Sequence, residues 1–308
     1  MPTRREALAL PLAATLAAAL AGTADAATPF AVAYAGSMGA LMDKGIGPAF
    51  EAAERVRFQG IGRGAFALAR LIAAKQMVVN TFIPITAGPF EIVHKAGLAA
   101  TAVPVASTQM CLPYSPKSPH RKLFEAVAAG RESLPRALLT AGVRFGRTDP
   151  RTDPQGRNIL FTMKLAEIYY KSPGLAAKVL GPAINPRQIF AEPSLLARLE
   201  AGQIDISSGY LSAVHSRGLP AIPLPAEINL GDATKAATWY ARARMAVPVA
   251  HGTVTAVPQP LVFYAMTLAN APHPKAAATF LAFLTGTRGQ ALFTKFGYSA
   301  PSGSPLTA

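Results

Sequence analysis

Val143-Arg144-Phe145-Gly146-Arg147-Thr148-Asp149-Pro150-Arg151-Thr152-Asp153-Pro154-Gln155-Gly156-Arg157-Asn158 runs from a short apolar strand, through a polar turn, into a helix. Asp153 at the N-cap with Pro154 at the first helical position is a strong start signal. The carboxylate accepts from free N–H groups of the first turn, and proline has no N–H to lose there. The pattern predicts a helix to about Lys171. The same strand–turn–helix unit recurs upstream. Phe30 to Tyr34 reads as a strand, Gly36-Ser37 as its turn, and a helix follows to about Glu54. Arg55 to Gln59 suits a second strand, Gly60 to Gly64 a tight turn, and Ala65 to Ala74 a helix. Met77 to Ile83 and Gln109 to Tyr114 are further strands. Downstream, Pro193 to Ala201 is a helix stopped by Gly202. Ile204 to Ser208 and Ala221 to Leu224 are short strands, and Leu261 to Leu268 is a longer one. Ala276 to Leu284 and about Arg288 to Phe296 are helices. Short apolar runs alternating with helical segments define an α/β fold. Ile228 to Pro260 carries no clear pattern.

The chain starts with Arg4-Arg5, an Ala/Leu-rich stretch from about Ala7 to Ala21, and Ala24-Asp25-Ala26. This is the layout of a cleavable export leader, with cleavage after Ala26. The stretch is too short and alanine-rich for a membrane span. Thr3-Arg4-Arg5-Glu6-Ala7-Leu8 also resembles a twin-arginine signal, so both the general secretory and twin-arginine routes stay open.

Of the 308 residues, 51% are apolar, enough for a sizeable core without covalent staples. Cys111, the only cysteine, cannot form an internal disulfide and sits in the apolar run Met110-Cys111-Leu112. The net charge is +14, and the leader adds nothing to it, since Arg4 and Arg5 balance Glu6 and Asp25. A chain this basic attracts anions. Its Lys and Arg are dispersed, without a basic run or aromatic-interleaved stripe, which excludes a nucleic-acid partner.

Free N–H groups at a helix start, with the helix dipole behind them, form an anion site. Two such turns stand out, at Ser37 and in the segment ending at Asp153, and each also reads as an ordinary capped loop. Gly60-Ile61-Gly62-Arg63-Gly64-Ala65 matches a dinucleotide fingerprint. The acidic residue expected about 20 positions on is missing, Asn80-Thr81-Phe82 standing there instead. No cofactor is therefore expected, and Arg63-Gly64 reads better as a third anion-facing turn. His94, His120, His215, His251 and His273 have no partner at metal-ligand spacing, and no nucleophile elbow or carboxylate pair is present. Nothing in the pattern indicates catalysis.

Gly146-Arg147-Thr148-Asp149-Pro150, Asp153-Pro154-Gln155-Gly156 and Leu165-Ala166-Glu167-Ile168-Tyr169-Tyr170 resemble the archaeal-type molybdate/tungstate-binding proteins. So do Ala35-Gly36-Ser37, Leu199-Glu200-Ala201-Gly202-Gln203-Ile204-Asp205 and Leu224-Pro225-Ala226-Glu227-Ile228-Asn229-Leu230. The C-terminal pattern from Pro274-Lys275-Ala276-Ala277 to Phe296-Gly297 is shared more widely among extracellular solute-binding proteins. The resemblance covers most of the chain after the leader. It implies a two-lobed periplasmic-binding-protein fold of type II, with crossing strands near Ser107 to Tyr114 and Leu261 to Leu268. The expected division is 1–26 leader, 27–108 first lobe, 109–268 second lobe and 269–308 first lobe again. The implied function is periplasmic capture of a small oxyanion, molybdate or tungstate, by a non-enzymatic monomer. That monomer serves the permease and ATPase of an ABC importer. Sulfate, phosphate or an organic acid is the alternative ligand, and an exported enzyme on the same scaffold the alternative class.

The expected ligand-binding residues are Ser37, Arg63, Gly64, Asp153 and Tyr210. In the family, serine and backbone N–H groups hold the oxyanion, and two carboxylates raise the coordination of its metal toward six. Asp153 matches one of these, as a ligand only to the metal of the bound oxyanion. Gly209 stands where the other, a Glu before Tyr210, would be. The segment Phe82 to Pro89 also departs from the family pattern.

Overall fold

The computed structural model describes residues 29–307, and the expected leader lies outside them. Its strands are β1 (Pro29–Ala35), β2 (Arg57–Arg63), β3 (Thr81–Ile83), β4 (Thr101–Ser107), β5 (Met110–Pro113), β6 (Phe145–Gly146) and β7 (Ile206–Ser207), followed by β8 (Gly209–Tyr210), β9 (Ala221–Pro223), β10 (Met245–Pro248), β11 (Thr253–Ala256), β12 (Val262–Thr267) and β13 (Leu306–Thr307). One lobe is built on a six-stranded mixed sheet in the order β13-β4-β12-β3-β1-β2. The other holds the three-stranded β8-β5-β9 and the pair β6-β7, with β10-β11 as a separate hairpin. The architecture is the two-lobed α/β type that the sequence implied.

β1 is parallel to both β2 and β3, as strands joined by crossover helices must be. Phe30 of β1 packs on Phe50 and Phe280, with ring centroids 5.2 and 5.3 Å away. The N-terminal helix 47–54 and the C-terminal helix 274–285 thus share one core over the sheet. No described helix is long and apolar enough to cross a membrane.

One local reading is corrected. Gly60 to Gly64 does not form a tight turn, because β2 continues through Arg63, paired in register with Val32 to Ala35. A Cβ at Gly60 or Gly62 would strike the ring or hydroxyl of Tyr34. The glycines make room for an aromatic side chain, and neither has a positive φ. The expected strand Met77 to Ile83 shortens to β3, although the Asn80 N–H still donates to Ala31 O at 2.8 Å. The expected strand Ile204 to Ser208 shortens to β7, which pairs with β6.

The chain crosses between lobes beside itself. The Thr108 N–H donates to Leu261 O (3.0 Å), Leu261 N–H to Leu230 O (2.9 Å) and Met110 N–H to Asn229 O (2.7 Å). β12 then hydrogen-bonds to β4 and β3, which makes residues 262–267 a strand of the large sheet. Cys111 lies on β5, fully buried, and burial pushes its thiol far above its usual range.

Candidate functional site

Three strand-to-helix or loop-to-helix turns converge where the lobes meet. Ser37 lies in the 3-10 turn Gly36–Met38 directly after β1. It is buried, and its hydroxyl has no hydrogen-bond partner. The Tyr298 hydroxyl steadies the turn by donating to Ser37 O at 3.3 Å. Gly64 follows β2 and caps the helix Ala65–Ala73. A Cβ there would come within 2.6 Å of Thr152 O and 3.2 Å of the Asp153 Cβ, so only glycine lets the second lobe approach this closely. The Ala67 N–H closes the contact by donating to Thr152 O at 3.1 Å.

From the second lobe comes Asp153, cap of the helix Pro154–Tyr169. Its two oxygens have different surroundings. Oδ1 accepts from the Gln155 N–H at 2.9 Å, which is the capping role the sequence predicted. Oδ2 is buried without a hydrogen-bond partner, with Thr148 and Glu192 on either side. Burial pushes this carboxyl up to about 6, with the charge of Asp149 adding, while the Gln155 N–H and Thr148 hydroxyl pull it down.

Glu192 is the residue that the sequence reading missed. It starts the helix Glu192–Ala201, with Pro193 next, and both its carboxyl oxygens are buried without a well-formed hydrogen bond. The Gly36 and Ser37 amides and the Ser37 hydroxyl face it, and a Cβ at Gly36 would collide with it. Burial and the charge of Asp153 push this carboxyl well above its usual range, and those amides offset part of the rise. A signal was present: Glu192-Pro193 repeats the carboxylate–proline helix start of Asp153-Pro154. It was invisible as a pair because 39 positions separate the two carboxylates (192 − 153).

Tyr210 is fully buried, and its hydroxyl accepts from Asn158 Nδ2 at 3.0 Å. Burial raises its phenol well above the usual range, and the charges of Asp153 and Glu192 add to that. Gln155 is held in turn by the Ser208 hydroxyl, which donates to its Oε1 at 3.1 Å. Gly209 has no space for a side chain: a Cβ would lie 2.9 Å from Cδ and Cγ of Pro113. Arg63 is exposed and sits at the rim, where it lines a cavity of about 340 Å³ with Gly64, Thr148, Asp153 and Glu192. A larger cavity of about 640 Å³ opens on the other side of Glu192, bordered by Ser37, Gln155, Lys44 and Arg217. The structure therefore gathers Ser37, Gly64 and Asp153 and adds Glu192, while Arg63 stays outside the buried group. Among the described residues, no cluster of three or more His, Cys, Asp or Glu is arranged to hold a metal ion.

Residues 30–299 match the family of bacterial extracellular solute-binding proteins, and the chain belongs to it. That membership implies work outside the cytoplasm. An uncharacterized solute-binding protein of Petrotoga mobilis is 37% identical over 165 residues, which is 52% of this chain and 50% of that one. The molybdate/tungstate-binding protein WtpA of Thermococcus kodakarensis is 30% identical over 191 residues, 56% of this chain and 53% of that protein. The chain thus spans about half the length of these two curated relatives. Among solved structures, the periplasmic molybdate-binding protein of Azotobacter vinelandii superposes with a TM-score of 0.63 at 14% identity. It covers 89% of this chain and all of that one (100%), and it shows the shared fold.

Proposed function

We propose that this protein is the solute-binding component of an ABC importer and that it holds a metal oxyanion, molybdate or tungstate, between its lobes. One observation carries the reading: Ser37 Oγ and Asp153 Oδ2, from opposite lobes, are both buried in the seat without hydrogen-bond partners. Buried polar groups are normally paired, so an unpaired hydroxyl and an unpaired carboxylate oxygen at a lobe junction mark where a ligand supplies the partner. Ser37 and the amides beside it would hold oxo groups. The carboxylate argues against sulfate or phosphate, whose charge it repels and whose central atom takes no further oxygen. The Thermococcus relative, named a molybdate/tungstate-binding protein, supports the same ligand class.

The remaining parts of the reading follow from this role. The leader is cleaved after Ala26 and the protein acts in the periplasm as a monomer. It delivers its ligand to a permease driven by an ATPase, without catalysis and without a cofactor. The first lobe comprises 29–107 and 262–307, the second 108–261, a division supported by the strand pairing of β12. A thermal-shift panel of oxyanions on the mature protein tests the ligand class. A ligand at 100 times its dissociation constant adds about 2.7 kcal/mol of stability. Stabilisation by molybdate or tungstate and not by sulfate is the expected result, and the reverse order overturns the reading.

A further inference from the structure

We infer that a surface patch of Tyr169, Tyr170, Trp239, Arg242 and Arg244 docks the protein on an anionic phospholipid membrane. The inference does not depend on which ligand the lobes hold. The patch is assembled from two distant segments, the end of the helix Pro154–Tyr169 and the loop that runs into the 3-10 turn Tyr240–Ala243. The helix packs against that turn. The Tyr240 hydroxyl pins the loop by donating to Ala226 O at 2.9 Å and accepting from the Asp232 N–H at 3.0 Å. Tyr240 itself is buried, and its neighbour Trp239 is half-buried at the surface. Tyr169 is 38% exposed, with its ring centroid 4.9 Å from that of Tyr170 and 5.8 Å from that of Trp239. The Arg242 guanidinium lies over the Trp239 ring, 4.7 Å from its centroid.

Two features of the patch fit a bilayer. Tryptophan and tyrosine are apolar rings with a polar edge, and they favour the headgroup layer of membranes. Cations beside them are drawn to anionic lipid phosphates. Lys171, Arg242 and Arg244 are exposed, and none of them forms an ion pair among the described residues. Stacking on Trp239 holds the Arg242 side chain along the surface and turns the edge of its guanidinium toward a phosphate. The chain as a whole carries +14, so its general field has the sign of the patch and adds to the attraction. Charge alone draws a protein toward an anionic surface, and the rings give this one a face to seat there. The placement also spares the lobe junction. Asp153 caps the same helix at its other end, and the 16 residues between put the two about 24 Å apart.

The test uses the mature protein, beginning at Ala27, with vesicles of phosphatidylglycerol and of phosphatidylcholine as probes. Trp239 is the sole tryptophan, so its emission reports from the patch itself without a label. Phosphatidylglycerol vesicles should shift that emission to the blue, and brominated phosphatidylglycerol should quench it. High salt should reverse both effects, and phosphatidylcholine should produce neither. Arg242→Gln with Arg244→Gln should weaken co-sedimentation with phosphatidylglycerol vesicles by about tenfold or more. A second double variant, Lys122→Gln with Arg131→Gln, removes the same charge from exposed positions elsewhere and should stay close to wild type. Wild type that ignores phosphatidylglycerol overturns the inference and leaves an acidic protein as the partner of the patch. Binding without a change in Trp239 emission overturns it too, because another face then meets the lipid. An equal loss in the two double variants does the same, because net charge alone then holds the protein. The wild-type spectra decide even if a variant fails to fold.

Discussion

At Asp153 one side chain carries two duties on two oxygens, and substitution can separate them. Asn caps helices about as well as Asp, so Asp153→Asn keeps an oxygen for the Gln155 N–H. It removes the negative charge beside Glu192 and the lone pair aimed into the seat. Molybdate and tungstate binding should weaken by about tenfold or more, while the melting temperature of the unliganded protein holds or rises. Equal affinities for both anions in the two proteins would reduce Asp153 to a cap. Gly36 gives a complementary case. Gly36→Ala places a methyl group against the Glu192 carboxyl, so calorimetry should register lost oxyanion binding with less than about 3 kcal/mol of lost stability. Asp205 is a structural contrast to these residues. Its carboxylate accepts from Ser118 Oγ, Arg144 N and Arg144 Nε, each at 2.8 Å, and these donors hold it below the usual carboxylate range against the effect of burial. A depressed folded-state value means that the stability it contributes is present above the ordinary carboxylate range and is lost as pH falls through the folded value. Asp205→Asn turns an amide toward those donors. It should cost about 1–3 kcal/mol near neutral pH, and less in acid, where the wild-type carboxyl is protonated too. A constant difference across an acid titration of the melting temperature would contradict this.

Strands and helices show where one-dimensional patterns suffice. The helix Pro154–Tyr169 was legible because its start signal is local, an Asp cap followed by proline. β1 and β12 were legible as apolar runs, being buried in the large sheet. β4 was not, since Thr101-Ala102-Val103-Pro104-Val105-Ala106-Ser107 carries a proline that argues against a ladder strand. The structure accommodates it at a bulge: β12 shifts register between Phe263 and Tyr264, opposite Ala106 and Pro104. The β10-β11 hairpin, Met245 to Ala256, lies in the stretch where no pattern was visible, and both of its strands include exposed residues. The site divides the same way. Ser37, Gly64 and Asp153 sit at turns whose chemistry is local, whereas the Asp153–Glu192 pairing exists only after two helix starts meet in space. β8 extends this point. Gly209 is set by the Pro113 ring of β5, so Gly209→Glu should destabilise the protein by about 1–3 kcal/mol through overpacking. Urea denaturation of Gly209→Glu checks this, and unchanged stability would count against the close Pro113 contact.

The molecule as a whole is held at its lobe junction by the Ala67–Thr152 hydrogen bond and by Gly36 lying against Glu192. A ligand enters only if such contacts open, and hinge closure around ligands is a common motion of this fold. Small-angle scattering should give a smaller radius of gyration with molybdate than without it, and an unchanged radius would count against binding between the lobes. Cys111 adds a property of practical use. As the sole thiol, buried on β5 a few residues past the Ser107–Thr108 crossing, it is shielded from modifying reagents while the fold is intact. Its alkylation rate in the native protein therefore times the rare openings of that region, with no label to introduce and no competing site to remove. A chain that carries its own single-site clock lets the free energy of opening be followed pH by pH and anion by anion in the unaltered sequence.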